Sequence, residues 1–390
     1  MRKFLSHAIY FKSILIVLIS LLLIVLCMMF LNLSIFNPVE RSIKNFHMTD
    51  MFYEIHNSDN LRDTSDIITI VDMTSIYDRS RLANIIDSIK ACEPAVIGVD
   101  IVFEGLRGDT VGSERVAEVV CADDGVPIIW AKKLTQFNDT IQEFKGNVQS
   151  FFMDFADADE GYTNVQRDIN GGTVRTFGVY RMANGVREYS LPARVAAMYK
   201  GDSIPNQTNA DQTINYYATY FPVLAPEEIS KHPELIRGRI VIFGATHDEQ
   251  DMHYTPIGKI AGVEVLAYAT QTMLKYDKVA TVGGLMLWLF TLLAVLCCYM
   301  AQNIVKKRCL NSGNYIIRYL GISGVGDMLV KFVFIVLLAY LCYILYVEND
   351  IYINTVYAMV GIALLATARK FYDFVCYVLN ENKETEQNDK

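Results

Sequence analysis

The sequence predicts an α/β domain, mainly a parallel sheet with an inserted antiparallel meander, joined to four transmembrane helices. Three observations predict this. The 390-residue chain is 52% hydrophobic yet 20% charged, too apolar for an ordinary soluble protein and too charged for a bare helical bundle. Four apolar stretches approach the ~20 residues that a helix needs to cross a bilayer. Between the first two, short Ile- and Val-rich runs alternate with amphipathic segments, the order expected of a parallel sheet.

The first span is expected over residues 14–36, after a cytoplasmic N-terminus (residues 1–13) with Arg2, Lys3 and Lys12. Its long apolar run lacks a small-residue cleavage site, so it reads as an uncleaved signal anchor. The other spans are expected over residues 282–301, 328–347 and 351–368. Only Glu348, Asn349 and Asp350 separate the last two, which predicts a tight helical hairpin. Tyr10, Tyr299, Tyr315 and Tyr319 suit the interfacial belts.

Lys and Arg in short loops set orientation. They precede span one, crowd the 302–327 loop (Lys306, Lys307, Arg308, Arg318) and open the 369–390 tail (Arg369, Lys370). Both termini are therefore expected in the cytoplasm of a bacterial inner membrane, with residues 37–279 outside. That outer segment carries 23 basic and 35 acidic residues, a net of −12. Such a charge argues against nucleic acid as a partner. The chain stops about 20 residues after the last span, and the polar "NENKETEQNDK" has the composition of disorder, so no fused output domain is expected.

Within the outer segment, "DIITIVDM", "PAVIGVDIVF", "VPIIWAKKL" and "GRIVIFGAT" read as buried strands. "RSRLANIIDSIKAC" puts Leu82, Ile85, Ile86 and Ile89 on one helical face. "SERVAEVVCA" is a short helix with Ser113 as its cap. "GYTNVQRDINGGTVRTFGVYRMANGVREYSLP" alternates polar and apolar residues, and its Asn-Gly turns predict hairpins. "LPARVAAMY" and "AGVEVLAYATQTMLKY" read as helices, "QTINYY" as a strand and "APEEISKHP" as a short helix. Cys92 and Cys121 are the two cysteines of the outer segment. Each follows a predicted helix, and an outer compartment would permit a disulfide between them; a pair of free thiols is the alternative.

The stretch "VIFGATHDEQDMHYTPIG" holds His247, Asp248, Asp251 and His253 in seven residues. It follows a strand's carboxyl end, where open α/β sheets bind ligands. Asp72 and Asp100 end the first two strands and are expected to meet Asp251 there. Three readings stand. The aspartates cap helices and fix turns, which is the favoured reading; they bind a small ligand; or they hold a hard cation. With the two histidines added, a zinc site is a variant of the last. No phosphate-binding loop, nucleophile elbow, His-Glu-x-x-His or paired Cys-x-x-Cys occurs. No enzyme activity, cofactor or resident metal is expected.

These stretches resemble the type 2 CHASE domain, a class of extracytoplasmic sensory domains associated with cyclases and histidine kinases. The resemblance runs from about Asp66 to Leu274. Its most specific part is Gly244-x-Thr246, Asp251, Thr255-Pro256 and Gly262-Val263-Glu264, with Arg175 matching the family's arginine. With the strand-end aspartates, the candidate ligand-binding residues are Asp72, Asp100, Arg175, Gly244, Thr246, Asp251, Thr255 and Glu264. The resemblance also implies a homodimer and a separate cytoplasmic or membrane signalling partner beside the lipid bilayer. Two positions depart from the family pattern. The Trp-Pro-rich stretch after the first strand is replaced by "SIYDRSRLA", with Arg81 as its remnant, and Tyr268 stands where an Asn is usual. His247 and His253 lie outside the resemblance and read as exposed loop residues. An envelope scaffold subunit, or a divergent metal-dependent extracytoplasmic hydrolase, are the competing functions.

Overall fold

The computed structural model describes residues 2–31, 50, 53, 63–106, 108–122, 125–165, 172–202, 204, 210–216, 219–275, 280–349 and 351–388. They form two compact units: residues 50–279, and residues 1–49 together with 280–390.

In the 50–279 unit the chain begins with β1 (Asp63–Thr64) and β2 (Ile68–Asp72), followed by α2 (Arg79–Lys90), β3 (Val96–Val99), α3 (Thr110–Cys121) and the long β4 (Ile128–Asn138). β5 (Glu143–Val148), β6 (Asp159–Tyr162), β7 (Thr176–Gly178), β8 (Tyr180–Ala183) and β9 (Val186–Tyr189) follow, then α4 (Leu191–Lys200). β10 (Asp211–Thr213), β11 (Thr219–Tyr220), β12 (Val223–Leu224), β13 (Ile240–Gly244), the hairpin β14 (Met252–Thr255) and β15 (Gly258–Ala261), and α5 (Gly262–Lys275) complete it. The main sheet runs β12-β2-β13-β3-β4-β5-β8-β9, with β6 also on β4.

From β12 to β4 the pairing is all parallel. The last core strand, β13, enters between the first two, aligning Gly244 with Asp72 and Phe243 with both Val71 and Val99. Strand alternation then sorts the side chains. Val71, Ile97, Val99, Trp130, Val241 and Phe243 face α2 and α3, where they share one core with Leu82, Ile85, Ile86, Ile89, Val116 and Val119. Phe103, Trp130 and Phe152 stack edgewise in it, Trp130 and Phe152 at 4.8 Å. The other face meets α4 and α5: a β-carbon on Gly98 would lie 3.0 Å from Val195. Burial on both faces explains why the strands read as unbroken apolar runs.

The meander is more elaborate than the sequence suggests. β4 outlasts its parallel neighbours and turns antiparallel to β5 beyond Lys133. β8 and β9 form the expected hairpin, with Asn184 and Gly185 both at positive φ (48° and 77°) as a type I′ turn requires. The other expected turn, at Asn170-Gly171-Gly172, lies largely outside the described residues. "QTINYY" contributes only β10 at its start, and "APEEISKHP" forms a 3-10 turn, Pro226–Lys231. Ser113 is not the cap of α3. Asp109 is, accepting from Gly112 N at 2.8 Å.

In the other unit, α1 (Arg2–Leu31) packs with α6 (Gly284–Leu310), α8 (Val325–Asn349) and α9 (Val356–Asn388); α7 (Tyr315–Ile322) lies between α6 and α8. Ile16, Val17, Ala294, Val295, Leu338, Ala358, Ile362 and Leu365 form their shared core. Ser20 donates to the Gly361 carbonyl at 2.8 Å. Among the described residues, two helices are long and apolar enough to cross a membrane, Gly284–Leu310 and Val325–Tyr346, rather than four. Among the described residues, the apolar stretch of α1 covers Phe11–Cys27. The expected 351–368 span starts as a strand, β17 (Ile351–Ile353), parallel to β16 (Ala280–Val282). Its helix starts only after Asn354, whose side chain accepts from Val356 N at 3.1 Å, so the tight hairpin is not formed. α9 also runs on to Asn388, through a tail whose Lys, Glu and Gln are good helix formers. Tyr299 is buried in the bundle, with the Arg369 guanidinium 5.0 Å above its ring. Tyr10's side chain lies outside the described residues.

Candidate functional site

Three strands end side by side at one sheet edge, and Asp72, Gly244 and Asp100 share the face that α5 covers. Gly244 is there because α5 comes close: a β-carbon on it would lie 2.9 Å from Val263 and 3.3 Å from Asp100. The Gly-x-Thr and Gly-Val-Glu motifs are thus the two sides of one contact.

Asp72 is engaged through one oxygen. One carboxylate oxygen accepts from Thr74 N (3.0 Å), Thr74 Oγ1 (2.6 Å) and Thr246 N (3.0 Å). Thr74 Oγ1 in turn accepts from Thr246 N and His247 N. Burial alone would raise the Asp72 pKa, but the bonds from Thr74 and Thr246 outweigh it and hold the carboxyl below its usual range. Asp72 therefore ties the β2 end to the β13 end. His247 is exposed, 4.0 Å from the other Asp72 oxygen.

Asp100 and Asp251 form a second group with His253. Asp251 Oδ1 lies 3.2 Å from His253 Nε2, and its carboxylate sits against the Gly262 α-carbon at the start of α5. His253 is buried (7% exposed), which corrects its reading as an exposed loop residue: β14 pairs with β15 and folds the ring inward. Its Nδ1 has no partner among the described atoms. Asp100 is pushed up to about 7, first by burial and then by the Asp251 charge; Lys133, a hydrogen bond with Thr163 and His253 oppose this. The three aspartates do not converge on one point. Among the described residues no group of three His, Cys, Asp or Glu side chains is placed to hold a metal ion.

Thr163 also lines a cavity of about 20 Å³, together with Tyr162, Thr176, Phe177, Ser190 and Val265. Ser190 Oγ is buried there with no partner among the described atoms. The volume suits one water.

The remaining sequence candidates organise structure. Thr255 Oγ1 donates to the Gly258 carbonyl at 2.8 Å and closes the β14–β15 turn. Glu264 accepts from Ala261 N at 2.9 Å, half of a capping box at the head of α5. Arg175 grips Asp50 with two bonds, at 2.5 and 2.7 Å. Nearby, Tyr53 meets Tyr216, which packs on Tyr268 of α5 at 5.1 Å. Tyr268 donates to the Thr219 carbonyl. Arg81 is exposed and pairs with Glu227; Arg79 is the buried arginine, bound to Ser113 Oγ and the Glu104 and Gly105 carbonyls. Cys92 and Cys121 are both free: Cys92 is buried with its thiol 3.9 Å from the Ile229 carbonyl, and Cys121 is exposed.

Sequence reasoning missed Thr74 and Thr163, isolated threonines that only the sheet brings to the edge. It also missed a buried cluster away from the edge. Lys132 Nζ lies 2.6 Å from Glu188 and 3.7 Å from Glu160, all three largely buried. Glu160 Oε1 lacks a partner among the described atoms.

The family resemblance rested on the Gly-x-Thr and Gly-Val-Glu motifs, which the structure brings together where Gly244 meets Val263. The CHASE2 domain model matches residues 20–299. The chain belongs to the CHASE2 domain family. No curated protein and no solved structure matches it. As a CHASE2 protein it carries an extracellular sensory domain, and the matched region takes in the edge cluster, α5 and part of α6.

Proposed function

We propose that this CHASE2 protein is a membrane-anchored extracytoplasmic sensor that binds a ligand at the Asp100–Asp251–His253 edge and signals through a separate partner, without catalysis of its own. The observation that carries this reading is the seat of Asp251 on the first residue of α5. A helix N-terminus favours negative charge. A ligand that displaces Asp251 or screens its charge would therefore act on α5, the last helix of the domain before the spans.

The topology that suits this reading has four spans in a bacterial inner membrane, residues 37–279 outside and both termini inside. The Lys and Arg distribution supports it, as does the shared core of α1, α6, α8 and α9. A homodimer is the assembly proposed, by analogy with the family. The test is in-cell crosslinking of the full-length protein, wild type beside Asp251→Asn, followed by mass spectrometry of what copurifies. A stoichiometric kinase, cyclase or regulator whose yield changes with Asp251→Asn is expected. Recovery of secretion or cell-wall components, unchanged by the substitution, would make the outer domain a scaffold instead.

A further inference from the structure

Between the two membrane-length helices lies a short helix that the sensory reading leaves without a role. The inner side of α7 is closed against α6: a β-carbon on Gly321 would fall 3.0 Å from Cys309 and 3.3 Å from Leu310. Its outer side is open. Tyr315 is 82% exposed, Ile316 74%, Tyr319 63% and Ile322 69%. At about 100° per residue, Tyr315, Tyr319 and Ile322 fall on one stripe, with Ile316 at its margin. Four large apolar side chains on one side of an eight-residue helix call for a cover.

The surrounding charge says what the cover is. Between residues 303 and 326 the chain has four basic residues, Lys306, Lys307, Arg308 and Arg318, and no acidic one. The first three close α6, and Arg318 lies 5.4 Å over the Tyr315 ring. Short turns bind α7 to helices on both sides, so it stays within a few residues of any membrane they cross. A tyrosine- and isoleucine-rich face framed by cations is the composition of an interfacial helix, and juxtamembrane cations favour anionic headgroups.

We infer that α7 lies in the headgroup layer of a leaflet rich in anionic lipid. Tyr315, Ile316, Tyr319 and Ile322 enter the acyl boundary, while Arg318 and the Lys306–Arg308 cluster contact phosphates. α7 then fixes the depth of α6 and α8, and the surface charge of the leaflet becomes a second input to the helix bundle beside the outer domain. The inference rests on α6 and α8 spanning the bilayer.

The test uses the full-length protein in nanodiscs, either phosphatidylethanolamine with phosphatidylglycerol or phosphatidylcholine alone. A fluorescent amino acid is placed at position 316 or at position 337 in α8, with quencher lipids labelled near the headgroup or deep in the chains. At 316 the expected result is blue-shifted emission, quenched about threefold more by the shallow label, and receding in phosphatidylcholine or high salt. Water-like emission at 316 with deep quenching at 337 would overturn the inference and leave the spanning reading intact. No quenching at either site would overturn both. A blue shift at 316 that requires added cytosolic protein would assign the face to a protein partner and overturn the lipid assignment.

Discussion

The Asp251 carboxylate rests on the α-carbon of Gly262. A β-carbon there would lie 2.3 Å from Oδ2 and 2.8 Å from Oδ1, so any larger residue at 262 must displace a side chain eleven positions earlier. Gly262→Ala should destabilise the protein by about 1–3 kcal/mol, the usual cost of overpacking. Asp251→Ala should relieve it, so the double variant should lose less than the sum of the single ones. Thermal unfolding of the four proteins measures this, and strict additivity would mean that the two residues do not interact.

Asp72 allows a sharper substitution test. Its bonding oxygen only accepts, from Thr74 and Thr246, and an amide oxygen can accept in the same place. Asp72→Asn should therefore cost under about 1 kcal/mol, whereas Asp72→Ala leaves partly buried donors unpaired and should cost roughly 1–3 kcal/mol. Asp72→Asn should also remove a stabilisation that wild type keeps at neutral pH and loses as the pH falls below the usual carboxylate range, because the folded-state pKa is depressed. Equal losses in the two variants would show that Asp72 does not tie the strand ends.

Asp100 titrates in the opposite sense. Its folded pKa is raised to about 7 from 3.8, by burial first and Asp251 second. The folded state thus binds a proton that the unfolded chain releases, and this residue's contribution to stability falls as the pH rises from about 4 through about 7. Asp100→Asn should remove that dependence and should stabilise the protein at pH 8 by at least about 1 kcal/mol. Unfolding midpoints of both proteins between pH 5 and 8 check it. Parallel pH profiles would place the Asp100 carboxylate in water.

The strands were legible because burial on both faces leaves uninterrupted Ile and Val runs, as in "ITIVD" and "IVIFG". The edge position of Asp72, Asp100 and the Asp251 loop followed from strand ends alone. What stayed hidden depends on pairing. That β13 enters between β2 and β3, that β4 continues into β5, and that His253 turns inward are facts of register, which no local pattern encodes. The α3 cap was placed at Ser113 because serine is a common cap; the sequence does not reveal that Arg79 reaches across to occupy that hydroxyl. The last apolar stretch was long enough on paper, but β17 takes its first residues.

The Lys132–Glu160–Glu188 cluster yields the prediction most independent of ligand. One cation faces two carboxylates inside the domain, on β4, β6 and β9. Burial, and then the Glu188 charge against the pull of Lys132, raises Glu160 above its usual pKa. Lys132→Met would leave two buried carboxylates without a cation. It should cost about 3–5 kcal/mol, as breaking a buried pair does. Glu160→Gln keeps the shape, leaves Lys132 paired with Glu188 alone, and should be neutral or stabilising at pH 7. Because the folded pKa of Glu160 is raised, its contribution to stability improves as the pH falls through that pKa toward the unfolded value. Glu160→Gln should therefore gain most over wild type at alkaline pH and least near pH 4. Denaturant unfolding of the three proteins at two pH values decides it, and a Glu160→Gln variant less stable than wild type at every pH would mean that Glu160 is held as an anion.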